Sequence, residues 1–170
     1  RHEHGASVMA EAYGKLTGRP GVCLVTRGPG ACNAAIGVHT AFQDSTPMLM
    51  LVGQVRRARR GREAFQEVDF ARMFAPLAKG AEQIDAPDRL SEAMTGAFAQ
   101  ALGGRMGPIV LALPEDVLSA DTHAPAVPPL PVDPCLPDPE RIKALESMLA
   151  AAERPVLLLG GSGWTDNARA

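Results

Sequence analysis

Three short apolar runs constrain this chain more than any other feature: Val22-Cys23-Leu24-Val25-Thr26, Met48-Leu49-Met50-Leu51-Val52 and Ile109-Val110-Leu111-Ala112-Leu113. Each has the length of a strand and lacks the polar alternation of a one-sided sheet, so each reads as a strand covered on both faces. The stretches between them carry helical spacing instead. Ala6, Met9, Ala10 and Tyr13 predict a helix from about His4 to Leu16, stopped by Thr17-Gly18-Arg19-Pro20-Gly21. Gly28-Pro29-Gly30 reads as a turn, and Ala31 to Phe42 as a second helix of small residues ended by Asp44-Ser45-Thr46-Pro47. Pro87 to Leu102 is a third, with Leu90, Met94, Ala97, Phe98 and Ala101 on one face and Gly103-Gly104 closing it. A basic loop spans Arg56 to Arg62, a short helix is expected near Phe70 to Phe74, and a further strand at Ala81 to Ile84. Strands that alternate with helices predict βαβ units: an α/β fold with a parallel sheet flanked by helices.

Beyond residue 118 the composition changes. Seven of the fifteen prolines fall between Pro125 and Pro139, which excludes a helix or a central strand and predicts a stiff extended linker. Asp138-Pro139 is a good helix start, and Ile142, Leu145, Met148 and Leu149 give the helix an apolar face. Pro155 to Leu159 reads as a strand and Gly160-Gly161-Ser162-Gly163 as the loop after it. One helix and one strand bury no core, so these residues read as the front of a second α/β domain. The expected division is 1–118, a linker 119–138, and 139–170 as the beginning of the next domain.

A net charge of -2 argues against a general nucleic-acid or membrane binder. No apolar run is long enough to cross a bilayer, and the charged start carries no apolar signal segment. Cys23, Cys32 and Cys135 lack metal-ligand spacing. Cys23 and Cys32 read as small buried apolar residues, and the odd count suits a reducing, cytoplasmic compartment.

Glu3 is the first residue with a chemical claim. A carboxylate at a helix start is often only solvated and favoured by the helix dipole. Here small residues surround it, and the Gly28-Pro29-Gly30 loop follows a strand, at the edge where open α/β sheets carry their clefts. That loop is a weak signal alone, because a plain strand-to-helix turn uses the same residues. Two glycines do let a flat ligand lie against backbone. Asn33 either faces the cleft or caps. Gln66 lies in a loop whose default is solvent. His2 and His4 are too near the end to make a metal site unaided, and His39 reads as structural. Arg56, Arg57, Arg59, Arg60 and Arg62 read as a solvated or inter-subunit surface, with an anion site as the sharper option. Gly160-Gly161-Ser162-Gly163 does not fit a dinucleotide loop.

Taken in order, several segments resemble the pyrimidine-binding domain of thiamine diphosphate enzymes of the acetolactate synthase-like group. They are Arg1-His2-Glu3-His4-Gly5-Ala6, Met9-Ala10-Glu11-Ala12-Tyr13, Thr17 to Thr26, Gly28-Pro29-Gly30-Ala31-Cys32-Asn33, Ala41 to Met48, Gly53-Gln54-Val55, Ala64-Phe65-Gln66-Glu67-Val68-Asp69, and Gly107 to Val117. The resemblance covers essentially the whole chain and implies a truncated thiamine diphosphate-binding fold. The upstream strand and helix of that domain are expected to be missing, as is the diphosphate-binding domain with its Gly-Asp-Gly motif.

By this resemblance Glu3 hydrogen-bonds a ring nitrogen of the aminopyrimidine and promotes formation of the cofactor ylid, which attacks a 2-oxo acid. Burial beside the heterocycle is expected to raise its pKa. Pro29, Gly30 and Asn33 are implied to line the pyrimidine pocket, and Gln66 to approach the reacting end. The implied cofactors are thiamine diphosphate and Mg2+, the metal held by the diphosphate-binding domain and by no residue of this chain; FAD remains an option. The implied assembly is a homodimer or homotetramer with the cofactor at the subunit interface. The parent would be a transferase or lyase that decarboxylates and joins small 2-oxo acids, and the piece alone would be inactive. The other reading is a non-catalytic subunit-contact or regulatory module with the same fold. Three residues depart from the family pattern: Arg27 stands where serine or threonine is frequent, His4 where glutamine is, and Gly80 where a larger residue is common.

Overall fold

A computed structural model describes residues 2–132, 136–158 and 160–161. Among them four strands form one parallel sheet: β1 (Gly21–Val25), β2 (Met48–Gln54), β3 (Gly80–Gln83) and β4 (Pro108–Pro114), in the order β1-β2-β4-β3. Helices α1 (Glu3–Thr17), α2 (Pro29–Gln43), α3 (Phe70–Phe74) and α4 (Leu90–Leu102) flank it, and a short α5 (Glu115–Leu118) follows β4. The parallel α/β fold read from the alternation is the one observed.

The core divides by sheet face. Cys23, Val25, Met50, Val52, Val110 and Ala112 point to the side carrying α2 and α3, where Ala31, Ala34, Val38, Phe70 and Phe74 cover them. Leu49, Ile109, Leu111 and Leu113 point to the other side, under Ala93, Ala97 and Ala101 of α4. The chain steps from β1 to β2 and from β2 to β3 over the first face, then back from β3 to β4 over the second. Opposite directions on opposite faces are what a single crossover hand requires. Small residues bring the layers close: a Cβ on Gly37 of α2 would sit 2.5 Å from Ser7 Oγ of α1.

Each helix has a local cause. At the start of α1 the ring of His2 accepts from the His4 amide, and at its end Gly18 adopts a left-handed φ of 68° and donates to the Gly14 carbonyl. The second helix begins at Pro29 instead of Ala31, because proline's fixed φ suits the first helical position and its missing N–H is not needed there. In α3, Asp69 caps by accepting from the Arg72 amide.

Three expectations are corrected. First, β1 is not covered on both faces: Val22 and Leu24 are 50% and 69% exposed, and only Gly21, Cys23 and Val25 are buried. No helix lies over its second face among the described residues. Second, Cys32 is exposed on α2, while Cys23 is buried and its thiol is pushed up to about 11 by burial. Third, Pro155 to Leu158 form no strand. A strand needs a neighbour for its backbone groups, and no strand lies beside these residues among those described; Leu159 is outside the described residues.

The proline-rich segment is extended as expected through residue 132, and it is also pinned. The Val127 amide donates to Ser91 Oγ (2.7 Å), and Thr95 Oγ1 donates to the Val127 carbonyl (3.3 Å), so the segment meets α4 at both atoms. Helix α6 (Pro139–Ala151) forms with Asp138 as its cap, and all of its residues are exposed. Cys135, Ser162 and Gly163 lie outside the described residues.

Candidate functional site

All four strands run the same way, so their carboxyl ends share one edge, the edge at which open α/β sheets hold ligands. The chain leaves β1 there as Thr26-Arg27-Gly28. Gly28 has φ 59° and ψ −117°, and a Cβ on it would lie 2.8 Å from Gln66 Cβ. Only glycine satisfies both the backbone angle and the contact.

Gln66 is itself left-handed, with φ 64°. That conformation costs a side-chain-bearing residue on the order of 1 kcal/mol or more, so its surroundings must impose it. They do so with polar bonds. Glu67 accepts from the amides of Gly61 (2.6 Å) and Ala64 (3.1 Å), which hold its carboxyl below the ordinary glutamate range, the Gly61 amide most strongly. Behind the loop, buried Gln54 donates to the Val68 carbonyl (2.7 Å) and accepts from the Val55 amide (2.9 Å). The end of β2 and the segment after Gln66 are thereby tied together.

Glu3 is the first residue of α1 and is half-buried. Asn33 Nδ2 donates to Glu3 Oε2 at 3.2 Å, joining the starts of α1 and α2 across thirty residues of chain. Gly30 completes the group: a Cβ there would lie 3.7 Å from Glu3 Oε1. The carboxylate opens onto a shallow cavity of about 260 Å³ lined by His2, Ala6, Leu24 and Val25. Its pKa is lowered, first by its own backbone amide and then by Asn33, with desolvation opposing more weakly. The raised pKa expected from the sequence is therefore not found in the chain by itself, because two hydrogen bonds favour the charged form more than burial disfavours it.

Of the residues singled out from the sequence, the fold brings Glu3, Gly30 and Asn33 together. Pro29 is the exposed first residue of α2. Gln66 joins the group through Gly28 and makes no hydrogen bond to Glu3 or Asn33 among the described residues. His39 is exposed on α2. Sequence reasoning missed Glu67 and Gln54, which hold the loop. A glutamate three residues beyond Ala64 is the only local hint, and Gln54 gave none beyond a polar residue ending an apolar strand.

The arginine loop is sorted by its tertiary neighbours. Arg57 pairs with Asp116 (2.7 Å) and donates to the Asp85 carbonyl (2.6 Å), while Arg60 pairs with Asp85 (3.1 Å). Arg56 and Arg59 instead join Arg27 around a cavity of about 510 Å³. Among the described residues no group of three or more His, Cys, Asp or Glu side chains is placed to hold a metal ion, and no helix is long and apolar enough to cross a membrane.

Comparison with known proteins adds to this geometry. Residues 1–73 match the family model described as thiamine pyrophosphate enzyme, N-terminal TPP binding domain. A probable acetolactate synthase large subunit of Methanocaldococcus jannaschii is 38% identical over 169 residues, covering 95% of this chain and 28% of its own length. The acetolactate synthase isozyme 3 large subunit of Escherichia coli is 37% identical, covering 97% of this chain and 30% of its own length. An acetolactate synthase of Bacillus subtilis is 39% identical, with 96% and 29% covered. The chain thus spans about 28% to 30% of the length of these relatives.

Proposed function

Because residues 1–73 match the family model of the N-terminal TPP binding domain of thiamine pyrophosphate enzymes, we propose that this chain supplies the pyrimidine-facing half of a thiamine diphosphate site. The site serves an acetolactate synthase-like enzyme acting on 2-oxo acids. The observation that carries this reading is the hydrogen bond from Asn33 Nδ2 to Glu3 Oε2 beside Gly30.

The residues present fit a flat polar ring. Gly30 leaves open the space that a Cβ would fill next to the carboxylate, and Leu24, Val25 and Ala6 give the cavity apolar walls. At about 260 Å³ it is smaller than the roughly 300–1,000 Å³ of a complete ligand site, which suits one ring of a cofactor whose remainder lies elsewhere. Thiamine diphosphate, when bound, supplies an electron sink for carbon–carbon bond cleavage and formation at a 2-oxo acid.

The work of this chain is positioning and proton sharing. Asn33 holds Oε2, which fixes the plane of the Glu3 carboxylate. The Glu3 carboxyl would share a proton with a ring nitrogen of the aminopyrimidine. Loss of water from the Glu3 carboxylate on binding an aminopyrimidine would favour its protonated form and so would raise its pKa toward proton sharing. Asn33 and the Glu3 amide, which lower the pKa in the chain alone, would oppose that rise. Gln66, pressed on Gly28, stands at the exit of β1, where a substrate approaches. The site completes itself at a subunit interface of a homodimer or homotetramer, with Mg2+ and the diphosphate held by residues outside these 170.

Glu3→Gln in the full-length protein is the test. Turnover of 2-oxo acids with thiamine diphosphate and Mg2+ is expected to fall by roughly 10²–10⁴-fold, the usual contribution of a positioned acid–base group. Undiminished turnover would remove Glu3 from the chemistry. Asn33→Asp, which replaces the donor with a second carboxylate, is expected to impair turnover less than Glu3→Gln.

A further inference from the structure

We propose that the cavity at the ends of β1, β2 and β4 binds a second carboxylate on the substrate, so that the proposed enzyme acts on acidic 2-oxo acids. This rests on the reading above for the reaction and on independent geometry for the anion. Arg27 leaves β1, Val55 and Arg56 leave β2, and Glu115 leaves β4; all line one cavity of about 510 Å³, within the usual range for small-ligand sites. Arg59, Ala64 and Phe65 complete the wall.

Three arginines against one glutamate leave this lining with a charge of +2. The one pairing inside it, Arg56 to Glu115, is long at 3.8 Å and half-exposed, so it does not neutralise the site. The loop's other pairings strengthen the case. Arg57 and Arg60 turn to Asp116 and Asp85 and are spent there, whereas the Arg59 side chain has no ion pair among the described residues. Most pointed is Arg27 Nε: it is closed to solvent and has no hydrogen-bond partner among the described residues. A buried guanidinium N–H without an acceptor is rare and costly, and a carboxylate in the cavity would supply one, in the fork geometry that arginine favours, once the side chain turned toward it.

The rest of the lining favours a carboxylate on a short carbon chain over a bare inorganic anion. Val55, Ala64 and the 81%-exposed ring of Phe65 offer apolar surface beside the guanidinium groups. Val25 lines the Glu3 pocket and Arg27, two residues on, lines this one, so both cavities draw on the end of β1.

Equilibrium binding to the full-length protein without cofactor tests this, with glutarate, butyrate and inorganic phosphate as probes. Glutarate is expected to bind at least tenfold more tightly than butyrate. Arg27→Gln and, separately, Arg59→Gln are each expected to weaken glutarate by roughly ten- to hundredfold, as loss of a charged hydrogen bond does. Arg59 is exposed on a short turn, so its variant keeps the test alive should Arg27→Gln fail to fold. Binding is read without cofactor and without turnover, so its outcome is separate from that of the Glu3→Gln test above. Equal binding of glutarate and butyrate, or wild-type glutarate affinity in both arginine variants, overturns it. Phosphate binding ahead of glutarate overturns the carboxylate assignment, and so does loss of oligomer without loss of glutarate affinity, which makes the arginines a subunit contact.

Discussion

Strands β1 and β4 look alike in sequence, as uninterrupted apolar runs, and end in opposite circumstances. All seven residues of β4 are buried between two neighbouring strands and two helical layers. In β1, at the sheet edge, burial alternates, and Val22 and Leu24 stand in the open. An apolar run reports what a strand needs in order to be stable; it does not report what the surrounding chain provides. The two exits differ as well. Beyond β4 the chain enters α5, and the Asp116 carboxylate there takes two hydrogen bonds from Arg57. Beyond β1 it passes through Gly28 in a conformation held against Gln66, and this strained exit is the one that carries the candidate site.

The comparison is broken most readily by truncation on matched faces. Leu111→Ala in β4 is expected to cost about 2–5 kcal/mol in urea unfolding of the 170-residue chain, and Leu24→Ala in β1 to stay within about 0.5 kcal/mol. Equal losses would mean that the outer face of β1 is covered in solution. At the β1 exit, Gly28→Ala is expected to cost about 1–3 kcal/mol, through a left-handed backbone and a displaced Gln66. A neutral result there would show the exit to be relaxed.

The exit of β4 is expected to show a smaller, pH-dependent effect. The Arg57 side chain, then its amide, hold Asp116 below the ordinary aspartate range. A lowered folded pKa stabilises at and above the ordinary value and is lost as pH falls through the lowered one. Asp116→Asn is thus expected to be less stable than wild type from neutral pH down to about pH 4, the difference closing below that. A difference that grew in acid would contradict the pairing.

Much of this was legible beforehand, for reasons that particular residues show. The helices over 3–17, 29–43 and 90–102 and the strands over 48–54 and 108–114 follow from periodicity, because each must bury a face. Strand β3, Gly80–Gln83, was legible only to within a residue, since its sequence carries almost no apolar signal. Glu3, Gly30 and Asn33 were legible through a family resemblance, and their contact became visible only when two helix starts met.

What the order of residues determined alone is the alternation of buried strands and small-residue helices, and with it a parallel sheet whose loops gather at one edge. That follows from local hydrophobic spacing and backbone preference, which need no knowledge of distant residues. Only the tertiary structure decided which face of β1 stays bare, that Gln66 presses on Gly28, and which arginines of the loop find a close carboxylate partner. Those outcomes depend on bonds such as Arg57 to Asp116, 59 residues apart, and no local pattern encodes where the partner will stand.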